Sequence, residues 1–156
     1  MRMAPILCSV FLLLAAAPAA AAPADDAAAA VGAVLDKFNG GDSAAFVAAH
    51  ADGALITDEF APFQWGGARS VQRWLDDYAK DSAARGITGG RVDHGAPLAA
   101  NGNASRAYVV LPTTYRFKQN GKAMVGKGSM TFVMVKSGPD WKIASWTYSG
   151  ATPVAE

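Results

Sequence analysis

Cysteine is nearly absent from this chain. The one Cys8 falls inside the first apolar run, so no pair exists to close a disulfide, and stability must come from an ordinary apolar core. Histidine is scarce as well. His50 and His94 stand far apart with no cysteine near either, which offers none of the close ligand spacings of a dedicated zinc site. Charge of one sign is lacking: 14 Lys and Arg face 13 Asp and Glu. A balanced chain has no field that favours nucleic acid or an anionic membrane as its main partner. Gly86, Gly89, Gly90 and Gly95 are scattered among turns and match no phosphate-binding loop, so no nucleotide or other cofactor is indicated. No apolar run reaches the roughly 20 residues that a membrane-spanning helix needs.

What is present begins with a leader. Arg2 gives a positive start, residues 6–17 form an apolar run centred on VFLLL, and PAAAAP supplies small residues suited to a signal peptidase. The expected division is a signal peptide over residues 1–21 and one domain over residues 22–156, exported to the periplasm or secreted. Cys8 follows Pro5-Ile6-Leu7 near the start of the apolar run, which is the wrong place for a lipid anchor.

The domain divides into helices and then strands. Asp25 and Asp26 suit a first helical turn, Val31, Val34, Leu35 and Phe38 recur at helical spacing, and Asn39-Gly40-Gly41 ends the run. Asp42 can cap a short helix through SAAFVAAH, with His50 as a cation at its C-terminal end. ALITD then reads as a brief strand ending at Asp58. Ser70 is the expected cap of a third helix, whose face is Val71, Trp74, Leu75 and Tyr78.

From residue 87 onward the pattern is extended. Asn120-Gly121 predicts a type I′ hairpin, and pairing Gln119 with Lys122 places Phe117, Tyr115, Thr113, Leu111 and Val109 opposite Met124, Gly126, Gly128, Met130 and Phe132. That apolar face calls for cover by the helices. The next turn, residues 137–140, pairs Lys136 with Trp141. An unbroken ladder from there sets Ile143, Ser145, Thr147 and Ser149 beside Met134, Phe132, Met130 and Gly128, and sends Trp146 and Tyr148 to the outer face. A one-residue slip would exchange the two sets.

Two helices, a short strand with an acidic end, a helix opening GGARSVQRWLDDY and an antiparallel meander ending WKIASWTYSG resemble the nuclear transport factor 2-like or SnoaL-like proteins. That group includes ketosteroid isomerase and polyketide cyclases. The resemblance implies an α+β, cone-shaped fold in which three N-terminal helices pack on a curved, mainly antiparallel sheet around an apolar pocket. It also implies a homodimer through the outer sheet face, which Trp146 and Tyr148 would cover; a folded-back segment could cover them instead. Asp58 matches the position of the isomerase base. Val34 and Met130 stand where its two oxyanion donors should be, and Ser145 and Thr147 replace two histidines of a related terminal motif.

Each candidate residue also has a structural reading. Asp58 is either a pocket base with a pKa raised by burial or a turn acceptor. His94 could approach Asp58 as an acid-base partner; Asp93 beside it points to the opposite face. Trp65 either closes a pocket mouth or anchors its loop on the third helix, and Tyr115 is either an inward donor or core. The preferred function is a small-molecule-binding domain holding a hydrophobic ligand among Trp65, Tyr115, Met130, Phe132, Ser145 and Thr147. The alternative is an isomerase, cyclase or dehydratase with Asp58 as general base and His94 or Tyr115 as acid. A hydroxyl without a neighbouring base is a poor nucleophile, which favours binding.

Overall fold

Helix α1 runs from Pro23 to Asn39 (Pro23–Asn39) in the computed structural model, which describes residues 22–156; the expected signal peptide and Cys8 lie outside the described residues. Pro23 sits in the first turn, where a missing N–H costs nothing. Asp25 and Asp26 face the positive end of the helix, and Ala27, Val31, Val34 and Leu35 form its buried stripe. Helix α2, Ser43–Ala48, is capped by the Asp42 carboxylate, which accepts the Ala45 N–H at 3.0 Å. Helix α3, Ser70–Ala84, buries Val71 and Trp74. Ser70 is its first helical residue and not its cap; that place is taken by Arg69, in the left-handed region at φ 57°. The Ser70 hydroxyl instead donates to the Ala54 carbonyl at 2.6 Å in a buried site, pinning α3 to the sheet.

The strands are β1 His50–Thr57, β2 Gln64–Trp65, β3 Ile87–His94, β4 Ala99–Gly102, β5 Arg106–Gln119, β6 Lys122–Ser137, β7 Asp140–Gly150 and β8 Val154–Ala155. Their order is β2-β1-β7-β6-β5-β3, with β4 on β5 and β8 on β6. The α+β class is as expected, but the cone is not. The strand path is open, ending at β2 and β3, and β1 joins β7 in parallel, so the sheet is mixed. A two-residue β2 is too short to carry pairing onward and close the sheet.

Along β5 and β6 the observed register is the expected one, from Gln119 opposite Lys122 to Val109 opposite Phe132. Asn120 (φ 49°) and Gly121 (φ 83°) both take the positive φ of the turn. Between β6 and β7 the expectation fails part-way. Lys136 meets Trp141 and Met134 meets Ile143, but Val133 then meets Ser145, leaving Ala144 as an extra residue. One extra residue reverses every later side chain. Trp146 therefore pairs with Phe132 and Tyr148 with Met130, while Ser145, Thr147 and Ser149 pair with Val133, Thr131 and Ser129.

Magnitudes explain the choice. Burying about 200 Å² of indole at roughly 25 cal/mol per Å² is worth about 5 kcal/mol, against about 1 kcal/mol for an interrupted ladder bond. Trp146 is 3% exposed. The placement of Trp146 and Tyr148 on an outer dimer face is thus corrected: both point toward the helices, and they no longer argue for a homodimer.

His50 opens β1 as a buried neutral ring and not as an exposed cation. Its Nδ1 lies 2.8 Å from the Phe46 carbonyl, one turn back, and its ring packs edge-on against Phe46 at 4.8 Å. Burial lowers its pKa to about 4, against an upward pull from the carbonyl.

Two outcomes follow from this packing. Trp146→Ala should cost about 3–5 kcal/mol in urea unfolding, whereas Thr147→Ala should stay within about 0.5 kcal/mol; the reverse order would restore the unbulged register. Because the folded pKa of His50 lies below its unfolded value of 6.5, its contribution is complete above pH 6.5 and is lost as pH falls toward 4, by on the order of 3 kcal/mol. His50→Gln should flatten that acid slope in urea midpoints, and an unchanged slope would refute the assignment.

Candidate functional site

A cavity of about 150 Å³ lies between the helices and the sheet. Leu35 and Phe38 of α1, Phe46 of α2, Trp74 and Tyr78 of α3, and Tyr115, Phe117, Met130, Trp146 and Tyr148 of the sheet form its walls. Trp74 and Tyr78, one helical turn apart, stack at 5.3 Å and 18°, and Trp146 meets Trp74 edge-on at 5.1 Å. Phe60, on the loop after β1, approaches both Trp74 and Tyr78. Such contacts hold rings in fixed planes.

Asp58 enters this cavity from the end of β1. Its Oδ2 accepts the Trp74 indole N–H at 3.0 Å and its Oδ1 accepts the Glu59 backbone N–H at 2.7 Å. Burial raises its pKa; the two hydrogen bonds pull it back down, and the negative charges of Glu59 and Asp81 add to the rise. This carboxyl group can take or release a proton closer to neutrality than an exposed one.

The Tyr78 and Tyr115 hydroxyls lie 2.9 Å apart. Burial, with Tyr78 alongside, holds Tyr115 well above the ordinary phenol range, so it stays a proton donor. Gly90 makes room for the pair, since a Cβ there would sit 2.6 and 2.7 Å from the two hydroxyl oxygens. Burial also raises Tyr148, followed by the charges of Glu59 and Asp58. Glu59 and Arg85 are exposed and mark the opening. Glu59 Oε1 accepts the Gly150 N–H at 2.8 Å, and Arg85 bonds Asp81 at 3.1 Å.

Of the residues expected from sequence, Asp58, Tyr115 and Met130 line the cavity. Phe132, 1% exposed, is core beside it. Ser145 and Thr147 lie beyond the bulge on the other face of β7 and are not part of the lining. Trp65 is buried; its Nε1 donates to Asp77 Oδ2 of α3 at 3.0 Å and its ring packs on Phe60 at 5.0 Å, so it anchors the loop. His94 turns to the helix side but meets α1 at Gly32, where a Cβ would be 3.1 Å from its ring, and it lines a shallow groove with Asp25 and Asp36. It does not join Asp58. Asp93 bonds Arg91 at 2.6 Å and Arg116 at 3.3 Å.

Sequence reasoning missed Phe60, Trp74, Tyr78 and Arg85 as pocket residues. Trp74 and Tyr78 were legible as a helical face, but nothing local ties that face to a carboxylate 16 residues earlier. Among the described residues, no group of three or more His, Cys, Asp or Glu gathers to hold a metal ion. Among them, too, no helix is long and apolar enough to cross a membrane.

No protein-family model and no curated protein sequence matches the chain. Solved structures do. A ketosteroid isomerase-like protein from Erwinia carotovora atroseptica superposes with a TM-score of 0.65 at 18% identity, covering 83% of this chain and 97% of that one. A hexachlorocyclohexane dehydrochlorinase from Novosphingobium barchaimii gives 0.66 at 8%, covering 85% and 86%. A protein of unknown function from Mycobacterium tuberculosis gives 0.61 at 16%, covering 83% and 76%. The chain therefore shares its fold with these solved structures. Identities this low carry the fold and not the chemistry.

The raised Asp58 carboxyl sets a direction for stability. Above the ordinary value of 3.8 the folded state binds more protons at Asp58 than the unfolded state, so stability declines as pH rises through the window from 3.8 to the raised value. Asp58→Asn removes this titration. Its urea midpoint should therefore gain on the wild type as pH rises from about 3.5 to 7, whatever the offset at low pH. A difference that stays constant, or moves the other way, would disprove the shift.

Proposed function

We propose that this protein is an exported small-molecule-binding domain, holding an apolar, ring-containing ligand in the cavity beside Asp58. One observation carries the reading: a largely aromatic cavity is lined by the Asp58 carboxyl, fixed by Trp74, and by the bonded hydroxyls of Tyr78 and Tyr115. Apolar walls with a few convergent polar groups are the usual form of a ligand site. Superfamily likeness to a protein named as ketosteroid isomerase-like and to a dehydrochlorinase supports small-molecule work at the fold level.

A second reading, proton transfer with Asp58 as general base, has an observation of its own. The donors missing at Val34 and Met130 have a substitute in the Tyr78–Tyr115 pair, which lines the same cavity as a carboxyl of raised pKa. A base working with a positioned donor meets the minimum for moving a proton on carbon. His94 has no part in it, and Tyr115 would be the acid.

Native mass spectrometry of protein recovered from the export compartment should show a bound small molecule that is lost in Trp74→Ala. A protein that is ligand-free, and whose Tm no apolar ring compound moves, would refute binding. Proton transfer would appear as deuterium exchange at a carbon of the recovered ligand, present in the wild type and slowed at least 100-fold in Asp58→Asn.

A further inference from the structure

Asparagine before glycine is a chemically labile sequence, because a glycine nitrogen has no adjoining Cβ to shield it from the asparagine side chain. Three of the four asparagines in this chain stand before glycine: Asn39-Gly40, Asn101-Gly102 and Asn120-Gly121. The fold treats them very differently.

Asn39 is half-buried at the end of α1, and its carboxamide is engaged twice: Nδ2 donates to the Val92 carbonyl and Oδ1 accepts the Val92 N–H, each at 2.8 Å. The nitrogen that would attack it is engaged as well, since the Gly40 N–H donates to the Asp36 carbonyl at 2.9 Å. Asn120 is exposed but sits in the tight turn of the long β5–β6 hairpin. Its N–H donates to the Gly86 carbonyl at 2.9 Å, its Oδ1 lies against Gly86, and its φ of 49° is left-handed. A side chain seated in this way is not free to swing onto Gly121.

Asn101 has none of these restraints. It and Gly102 are exposed at the end of β4, a strand of 4 residues that pairs with β5 alone, and the ends of such strands open at little cost. Among the described residues no hydrogen bond holds the Asn101 carboxamide, whereas Asn103 accepts the Ser105 N–H and O–H and the Arg106 N–H. The Asn103 N–H donates to the Arg106 carbonyl at 2.8 Å. Ladder bonds alternate along an antiparallel pair, so the Gly102 N–H, one residue earlier, turns away from β5.

We propose that Asn101 is a site of spontaneous covalent modification. The Gly102 nitrogen gives up its proton and bonds to Asn101 Cγ; the bond from Cγ to the side-chain nitrogen breaks and ammonia leaves, closing a succinimide ring. Water then adds to one of the two imide carbonyls and breaks its C–N bond. Residue 101 becomes aspartate, or isoaspartate joined to Gly102 through the former side-chain carbonyl. No oxidant, reductant or enzyme takes part. Both products place a carboxylate on β4, and isoaspartate also lengthens the main chain opposite Tyr108, which loosens β4 from β5. Asn101 does not line the aromatic cavity, so the modification stands apart from the binding reading.

Purified protein, aged at mildly alkaline pH in its native state and in denaturing urea, is digested at intervals and mapped by mass spectrometry. In urea all three asparagines should exchange amide for acid at similar rates. In the native protein Asn101 should react within about tenfold of its rate in urea. Asn39 should be slowed about 100-fold, the worth of its two side-chain hydrogen bonds, and Asn120 should also trail Asn101. Hydroxylamine, which cleaves succinimides, should cut the aged native chain after residue 101 but spare Asn101→Gln, whose longer side chain closes such a ring far less readily. The mapping of the wild type needs no variant to fold.

Asn39 or Asn120 reacting ahead of Asn101 in the native protein would overturn the assignment. So would an Asn101 that reacts in urea and stays intact in the native state, or a hydroxylamine cut that persists at residue 101 in Asn101→Gln.

Discussion

The extra residue at Ala144 is the constraint on which the rest of the site depends. Upstream of it, β7 follows the register set by the turn at residues 137–140; downstream, every side chain is reversed. Without the bulge the helices would meet Ser145, Thr147 and Ser149, and Trp146 would face away from Trp74. With it, Trp146 fills the floor of the cavity, Tyr148 closes one side, and the small hydroxyls go to the far face. The strand accepts a local break in its ladder because an indole and a phenol gain far more by burial than one interrupted bond loses.

Once Trp146 is inside, the other aromatics have little freedom. Trp74 stands edge-on to it and stacked on Tyr78, which turns the Trp74 N–H toward the end of β1 and into Asp58. The carboxyl is thus held from α3, not only from its own strand. Ser70, at the start of the same helix, is tied to β1 through Ala54, so α3 and β1 are fixed to each other at two places. A buried acid with neither N–H would be left with unmet acceptors and would cost several kcal/mol. With both, the remaining penalty is felt mainly as a raised pKa.

The parts of this arrangement that could be read from sequence are those governed by local chemistry. Asn120-Gly121 dictated a turn type, and that turn carried the β5–β6 register over 14 residue pairs without error. The helices followed from spacing and caps, with Ser70 displaced by one position because its hydroxyl had a better partner in β1. Asp58 was located by its place at a strand end and by resemblance. What could not be read is the bulge, since nothing in WKIASWTYSG distinguishes an unbroken ladder from one with Ala144 looped out. Only the volume waiting beneath the helices decides between them. His94 failed for a related reason. The sequence left its face open, and the group it meets is set by where α1 lies; Gly32 is the residue that lets the ring settle there.

The same energetics that fill most of the interior leave one part unfilled. At roughly 24 cal/mol per Å³, an enclosed void of this volume, about 150 Å³, would cost about 3–4 kcal/mol, a large share of the ~5–15 kcal/mol by which domains are stable. Its opening at Glu59 and Arg85 lowers that cost by admitting water without removing it. A raised Asp58 carboxyl adds a further penalty at neutral pH. Neither loss helps the fold, because a leucine at position 58 and a larger side chain at Leu35 would offset both. Trp74, Tyr78, Phe60 and Trp146 pack on one another along one side of the cavity, and anchors outside it fix where they stand: Trp65 beneath Phe60, held by Asp77, and Gly90 behind the two tyrosine hydroxyls. A cavity held open at this expense, with the Asp58 carboxyl and a tyrosine hydroxyl pair at its wall, has the physical form of a site whose missing stabilisation is supplied by its ligand.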